Sequence, residues 1–140
     1  MASTLEDAII LAARAHRGQR DKNGEPYILH PLRVMLNQRD GAARIVAMLH
    51  DVVEDTPVTL ADLNEYGEQI CAAVDCLTRR DGEGYGHMIE RVSANPLARR
   101  VKLTDLEDNM DPARIDPADD AALQRLAKYK SAWDRLRALE

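Results

Sequence analysis

Two of the chain's four histidines stand where an imidazole could do chemistry: His30 in Tyr27-Ile28-Leu29-His30-Pro31, and His50 in His50-Asp51-Val52-Val53-Glu54-Asp55. On a helix, His50 and Glu54 are four apart, Asp51 and Asp55 four apart, and Asp51 and Glu54 three apart, so these side chains lie along one edge. That edge belongs to an otherwise apolar helix, where three carboxylates and an imidazole are costly unless a cation compensates them. Lys102, Asp105 and Asn109 follow at steps of three and four and share a face of a second helix. A set of imidazoles and carboxylates without thiolate suits a first-row divalent ion such as Mn, Fe, Co or Zn. His30, His50, Asp51 and Asp105 would supply four ligands and leave positions open for water or substrate, as catalysis requires. Glu54 and Asp55 end their helix against its dipole, a local misfit that favours a functional role.

The elements that must position these residues read as helices throughout. Ser3-Thr4-Leu5-Glu6 offers a capping box for a helix from Leu5 to Arg17, which Gly18 ends. The polar loop GQRDKNGEPY follows, and Pro31 suits the first turn of a short helix through Asn37. Gly41 to Glu54 is a strongly apolar helix stopped by Asp55-Thr56-Pro57. A second capping box, Thr59-Leu60-Ala61-Asp62, opens a short helix closed by Gly67, and Glu68 to Leu77 forms another. Gly84 to Ser93 and Pro96 to Asn109 are separated by the Asn95-Pro96 break, and Asp116-Pro117 starts a last helix towards Leu139. No alternating β-branched run is bounded by turn residues. The expectation is one all-α domain over residues 1–140, a bundle of about seven helices.

Composition agrees with a single globular core: 140 residues, 45% apolar and 31% charged, with seven glycines and six prolines. A net charge of −5 argues against a surface that coats nucleic acid, but leaves room for a local basic cluster around a small anion. No apolar run reaches the roughly 18–20 residues of a membrane span, and MASTLEDAII lacks a basic region before an apolar stretch. Cys71 and Cys76, five apart on a helix, point away from each other and read as reduced core thiols, consistent with the cytoplasm. Spare apolar faces on such a bundle leave a homo-oligomer open, with no motif to fix it. His16 reads as a buried core residue, His87 as exposed, and Tyr85, Tyr129 and Trp133 as packing residues.

An adjacent His-Asp pair with a His upstream and an Asp downstream resembles the HD-domain metal phosphohydrolases. Five ordered blocks sharpen the likeness: Ala15-His16-Arg17-Gly18-Gln19, Gly24-Glu25-Pro26-Tyr27-Ile28-Leu29-His30-Pro31, Leu49-His50-Asp51-Val52-Val53-Glu54-Asp55-Thr56, Leu77-Thr78-Arg79, and Val101-Lys102-Leu103-Thr104-Asp105-Leu106-Glu107-Asp108-Asn109. Together, over about residues 5 to 135, they resemble the hydrolase domain of the RelA/SpoT family in its small single-domain form, like the metazoan SpoT homologues. The resemblance implies removal of the 3′-diphosphate of (p)ppGpp as pyrophosphate, leaving GDP or GTP. It implies one Mn²⁺ held by His30, His50, Asp51 and Asp105, with Glu54 and Asp55 positioning and deprotonating the attacking water. Asn109 matches a residue that contacts the nucleoside, and Lys22 one near the base or phosphates. Arg79 or Arg80 and Arg125 fall where phosphate-binding cations are expected, and with Lys22 and Lys102 could form a cationic rim. A bound divalent ion activates water and polarises the phosphoryl oxygen. A nearby carboxylate then adds general-base assistance of about 10²–10⁴-fold.

The chain departs from the family pattern at Asp21, where relatives often carry an Arg that packs on the nucleobase. Arg20, one position earlier, can take that place, and the base stays open: guanine, adenine or neither. Two alternatives stand beside the alarmone: an HD-domain phosphohydrolase for another nucleotide, and a nucleotide sensor that keeps the metal site without turnover.

Overall fold

The computed structural model describes residues 3–140, so the first two residues of the expected 1–140 domain lie outside it. Local capping explains where most helices begin. Helix α1 (Leu5–Ala15) starts because the Thr4 hydroxyl accepts the Asp7 amide at 3.2 Å while the Asp7 carboxylate accepts the Thr4 amide at 2.9 Å. The box therefore runs from Thr4 to Asp7, one residue later than the expected Ser3-to-Glu6 pairing. After α1 the chain turns at Gly18, whose φ of 85° only glycine adopts without strain.

Helix α2 (Leu29–Leu36) buries His30, Pro31, Val34 and Met35. Helix α3 (Gly41–Leu49) is capped by Asp40, whose carboxylate accepts the Ala43 amide at 2.8 Å. The single helix expected over Gly41–Glu54 is interrupted at His50-Asp51. Asp51 takes φ −110° and ψ −2°, and a short helix α4 (Val52–Asp55) restarts beyond it. The reason is local: His50 Nδ1 turns back onto the Ala47 carbonyl at 2.6 Å, and Asp51 leaves the helical path towards α2.

A 3₁₀ segment, Leu60–Tyr66, opens on the Thr59–Asp62 capping box as expected, and Gly67 closes it. Helices α5 (Glu68–Leu77), α6 (Tyr85–Ser93) and α7 (Pro96–Asn109) follow at or within one residue of the expected bounds. A short 3₁₀ turn, Pro112–Arg114, was not anticipated. The last helix, α8, spans Asp120–Arg137 and is capped by Asp119, which accepts the Ala121 and Ala122 amides. Asp116-Pro117 thus forms a turn before α8 and not its cap. Among the described residues eight α-helices make an all-α fold, and the only β feature is an isolated antiparallel bridge between Arg20 and Pro26.

Helix α3 runs through the core, with Val46, Ala47, Met48 and Leu49 fully buried. It packs against α1, α2, α5 and α7, while α8 closes over α7 and α6. Each large aliphatic side chain hidden this way contributes about 1.5–3 kcal/mol, an upper figure since unfolded chains already bury some surface. Cys71 and Cys76 are free thiols. No helix among the described residues is long and apolar enough to cross a membrane.

Candidate metal centre

Three elements bring the singled-out residues together: α2 carries His30, the α3–α4 interruption carries His50 and Asp51, and α7 carries Lys102, Asp105 and Asn109. One ligand atom each from His30, His50 and Asp51 lies within 4.8 Å of the others. Asp105 joins them from α7, with Oδ1 at 2.8 Å from His30 Nε2 and 3.5 Å from His50 Nε2. Asp51 Oδ2 stands 3.0 Å from His50 Nε2 and 4.0 Å from His30 Nε2.

The outer nitrogen of each imidazole is fixed. His50 Nδ1 meets the Ala47 carbonyl at 2.6 Å, and His30 Nδ1 meets Asp108 Oδ2 at 2.6 Å. As both partners are acceptors, each Nδ1 carries a proton and each Nε2 faces inward, that of His30 onto Asp105 Oδ1 at 2.8 Å. His50 Nε2 is buried and has no hydrogen-bond partner, because Asp51, though close, is not aligned as one. Two inward-facing imidazole nitrogens and two carboxylates at this spacing fit one divalent cation, which would replace the protons they share.

Without a cation the carboxylates and imidazoles compensate one another. Burial alone would hold down the His50 imidazolium, but the Asp51 and Asp105 charges prevail and raise its pKa well above the ordinary value. His30 is likewise opposed by burial and raised by its hydrogen bonds to Asp105 and Asp108. Asp51 and Asp105 are held well below the usual carboxylate range, against desolvation, chiefly by His50 and by Lys102 respectively.

Lys102 is not on the rim: it is buried beneath Asp105, with Nζ 2.8 Å from Oδ2. Asn109 donates to Asp105 Oδ1 at 3.2 Å. Glu54 and Asp55 sit exposed at the end of α4. Partial desolvation and the neighbouring Asp51 and Glu54 charges push the Asp55 carboxyl up to about 6.

Lys22 lies close enough to Arg125 and Lys128 that their charges, after desolvation, lower its pKa. Lys128 Nζ stands 4.6 Å from the Tyr85 ring centre and Lys102 Nζ 5.9 Å from it. Lys128 thus lies on the side of α8 that faces Tyr85, with Lys22 within the field of Lys128, Arg125 and, in the opposite sense, Asp119. Arg79 and Arg80 are engaged locally, Arg79 Nε with the Glu83 carbonyl at 3.0 Å and Arg80 with Asp75 at 3.3 Å. Arg20 is exposed and reaches only the Gly24 carbonyl, at 3.4 Å.

Asp21 is a loop hub. Its Oδ1 accepts the Asn23 amide at 2.8 Å and the Glu25 amide at 3.0 Å, which shapes the turn through Gly24. Sequence reasoning gave no role to Tyr27, which donates from its hydroxyl to Asp51 Oδ2, nor to Asp108 or Lys128. For Tyr27 and Asp108 the available signal was position, Tyr27 three before His30 and Asp108 three after Asp105. His16 is buried as expected, donating from Nδ1 to Gln19 Oε1 at 2.8 Å, since the Gln19 amide is turned to the Asp55 carbonyl. A separate cleft of about 610 Å³ between α1 and the 3₁₀ segment has no imidazole in its lining, and its Asp7 and Asp62 are engaged in capping boxes.

The sequence model of the HD domain matches residues 8–101. Among curated proteins, the GTP pyrophosphokinase of Streptomyces coelicolor is 36% identical over 124 residues, covering 79% of this chain and 15% of that protein. The guanosine-3′,5′-bis(diphosphate) 3′-pyrophosphohydrolase of Aquifex aeolicus is 33% identical over 122 residues, covering 78% and 18%. The bifunctional (p)ppGpp synthase/hydrolase SpoT of Escherichia coli is 31% identical over 122 residues, covering 76% and 17%. The chain thus spans less than a fifth of the length of these relatives. A solved structure described as a metazoan ortholog of SpoT that hydrolyzes ppGpp has a TM-score of 0.80 at 23% identity, covering 100% of this chain and 89% of that one, which establishes a shared fold.

Proposed function

The chain belongs to the HD-domain family, and on that premise we infer that it is a metal-dependent phosphohydrolase that removes the 3′-diphosphate of (p)ppGpp-type alarmones as pyrophosphate. The observation that carries this reading is the inward convergence of His30 and His50 Nε2 with Asp51 and Asp105, beside the exposed acids Glu54 and Asp55. The relatives named as (p)ppGpp hydrolases give the substrate class its support.

His30, His50, Asp51 and Asp105 would hold the ion, and a mixed nitrogen and oxygen set with open positions suits Mn²⁺. When bound, such an ion supplies an activated water and a polarised phosphoryl oxygen. Glu54 and Asp55 position the attacking water, and one of the two takes its proton as the water oxygen bonds to the phosphorus on ribose O3′. The bond from that phosphorus to O3′ breaks, O3′ receives the proton back, and the nucleoside 5′-diphosphate or 5′-triphosphate and pyrophosphate leave. Lys22 and Arg125 would bind the anionic substrate, joined by Lys128, while Asn109 and Arg20 would contact the nucleoside. Arg79 and Arg80, beside Glu54 through the Arg79 amide, add positive charge to this side of the site. A net charge of −5 leaves this cluster as a local attraction for a small anion and not for a nucleic-acid strand, and a cytoplasmic location suits the free thiols.

The test is product analysis with purified protein and Mn²⁺, offering ppGpp and its adenine analogue beside common nucleotides. Pyrophosphate appearing from an alarmone, and vanishing in His50→Ala and Glu54→Gln, supports the reading and ranks the two bases. Orthophosphate release from another nucleotide would move the protein to a different substrate. Metal binding without any turnover would make it a sensor.

A further inference from the structure

Behind the inner ligands lies a carboxylate that the proposed reaction does not use. Asp108 sits one helical turn beyond Asp105 on α7 and is largely hidden, with 11% of its side chain exposed. Its Oδ2 meets His30 Nδ1 at 2.6 Å and Arg33 Nη2 at 3.1 Å, and its Oδ1 meets Arg33 Nε and Arg114 Nη2, each at 2.8 Å. Four donor contacts from three residues, two on α2 and one on the 3₁₀ turn, converge on one carboxyl group. An exposed pair would not require them, and a buried carboxylate needs this degree of compensation to stay ionised.

The two candidate histidine ligands are therefore supported differently. His50 is oriented by a neutral backbone carbonyl, whereas His30 is oriented by a full negative charge. A carboxylate on the outer nitrogen fixes the tautomer and makes the inner nitrogen more basic, so it strengthens the bond that nitrogen makes to a cation. The two arginines have a separate effect. The bidentate Arg33 clamp sets the carboxylate plane and Arg114 holds it from the 3₁₀ turn, so the His30 ring is held in one orientation. Asn23, in the loop that carries Lys22, donates to the Arg114 carbonyl at 3.3 Å, which ties the substrate loop to the same support.

We propose that Asp108, clamped by Arg33 and Arg114, is a positioning residue that orients and polarises His30 towards the divalent ion. The proposal rests on the metal-centre reading above and names a residue outside its ligand set. The measurement is Mn²⁺ affinity of the purified protein by titration calorimetry, with Asp108→Ala and the nearly isosteric Asp108→Asn beside the unaltered chain. Loss of a support of this kind weakens metal binding by about 10–100-fold, and that range is expected for Asp108→Ala with a smaller loss for Asp108→Asn. Asp108→Asn keeps the shape of the site, so it tests the charge even where Asp108→Ala does not fold. In the metal-free protein, the His30 Nδ1 proton resonance, held far downfield by a carboxylate acceptor, moves upfield in Asp108→Asn. Affinity within about twofold of the unaltered chain in Asp108→Asn, with the His30 resonance unmoved, overturns the proposal. Failure of the unaltered chain itself to bind Mn²⁺ would instead overturn the metal centre on which it rests.

Discussion

Glu54 Oε1 accepts the backbone N–H of Arg79 at 2.6 Å, across 25 positions of sequence. The contact ties the end of α4 to the loop after α5. That loop is itself held from α6, where Arg91 donates to both oxygens of Glu83 at 2.7 Å and to the Thr78 carbonyl at 2.9 Å. The orientation of Glu54 is therefore set by the loop and not by its own short helix. Glu54→Gln keeps an acceptor for the Arg79 amide but removes the base, whereas Glu54→Ala removes both. Pyrophosphate release should fall by about 10²–10⁴-fold in both variants. Only Glu54→Ala should lose stability, by about 1 kcal/mol. Parallel melts and turnover assays separate the two roles, and Glu54→Gln with unchanged turnover would remove Glu54 from proton transfer.

The Asp55 carboxyl, pushed up to about 6, predicts a pH dependence in two observables. As a base it must be ionised, so turnover should rise with pH along a limb centred at or below 6, the cation favouring the lower side. Stability of the metal-free protein should respond in the opposite sense. A carboxyl that keeps its proton to higher pH in the folded state binds more protons than the unfolded chain between about 4 and 6. Its contribution therefore declines as pH rises through that window. Asp55→Asn should reduce the slope, which melts at pH 4.5 and 6.5 would read, and an unchanged slope would show that other groups carry it.

How much of this was legible beforehand depended on whether the controlling interaction was local. Helix α7 begins at Pro96 because Asn95 caps it and proline fits the first turn, both visible in neighbouring residues. The interruption between α3 and α4 was hidden, since a run from Ile45 to Val53 that is apolar on nearly every side looks the same whether or not it breaks. What breaks it is the imidazole of His50 returning to Ala47, a contact no periodicity encodes. At the start of α8 two aspartates compete, and Asp119 wins over Asp116 by accepting two amides of the first turn. The ligand candidates stood out because acids and imidazoles fell on apolar segments. Asp108 gave no such signal, because its partner is 78 residues away and only the packing of α2 on α7 brings them together.

His30 and His50, raised above the ordinary imidazole range in the metal-free protein, hold protons that a cation must displace. Metal affinity should therefore climb as pH rises from about 6 to 8, with proton release on binding. Calorimetry in two buffers of different ionisation enthalpy counts those protons directly. At a hundredfold excess of Mn²⁺ over its dissociation constant the fold should gain about 2.7 kcal/mol, and a chelator should remove the gain. A pH-independent affinity without proton release would mean that the cation does not bind through these imidazoles.

Asp21 occupies the position where relatives of this kind often carry arginine, yet restoring that arginine should impair the protein. The Asp21 carboxylate is engaged by the Asn23 and Glu25 amides, and the Asp21 amide donates to the Glu25 carbonyl at 2.8 Å. Asp21→Arg deletes both side-chain bonds and releases the loop that presents Arg20 and Lys22. Asp21→Asn keeps a neutral acceptor of the same shape. The expected signature is a raised KM for the alarmone in Asp21→Arg, with kcat and the global melt little changed, and a much smaller effect in Asp21→Asn. Hydrogen exchange at Asn23 and Glu25 should quicken in step, because local opening follows loss of their acceptor. An Asp21→Arg protein that binds substrate more tightly would show instead that the side chain at this position contacts the base, with the loop able to hold its shape unaided.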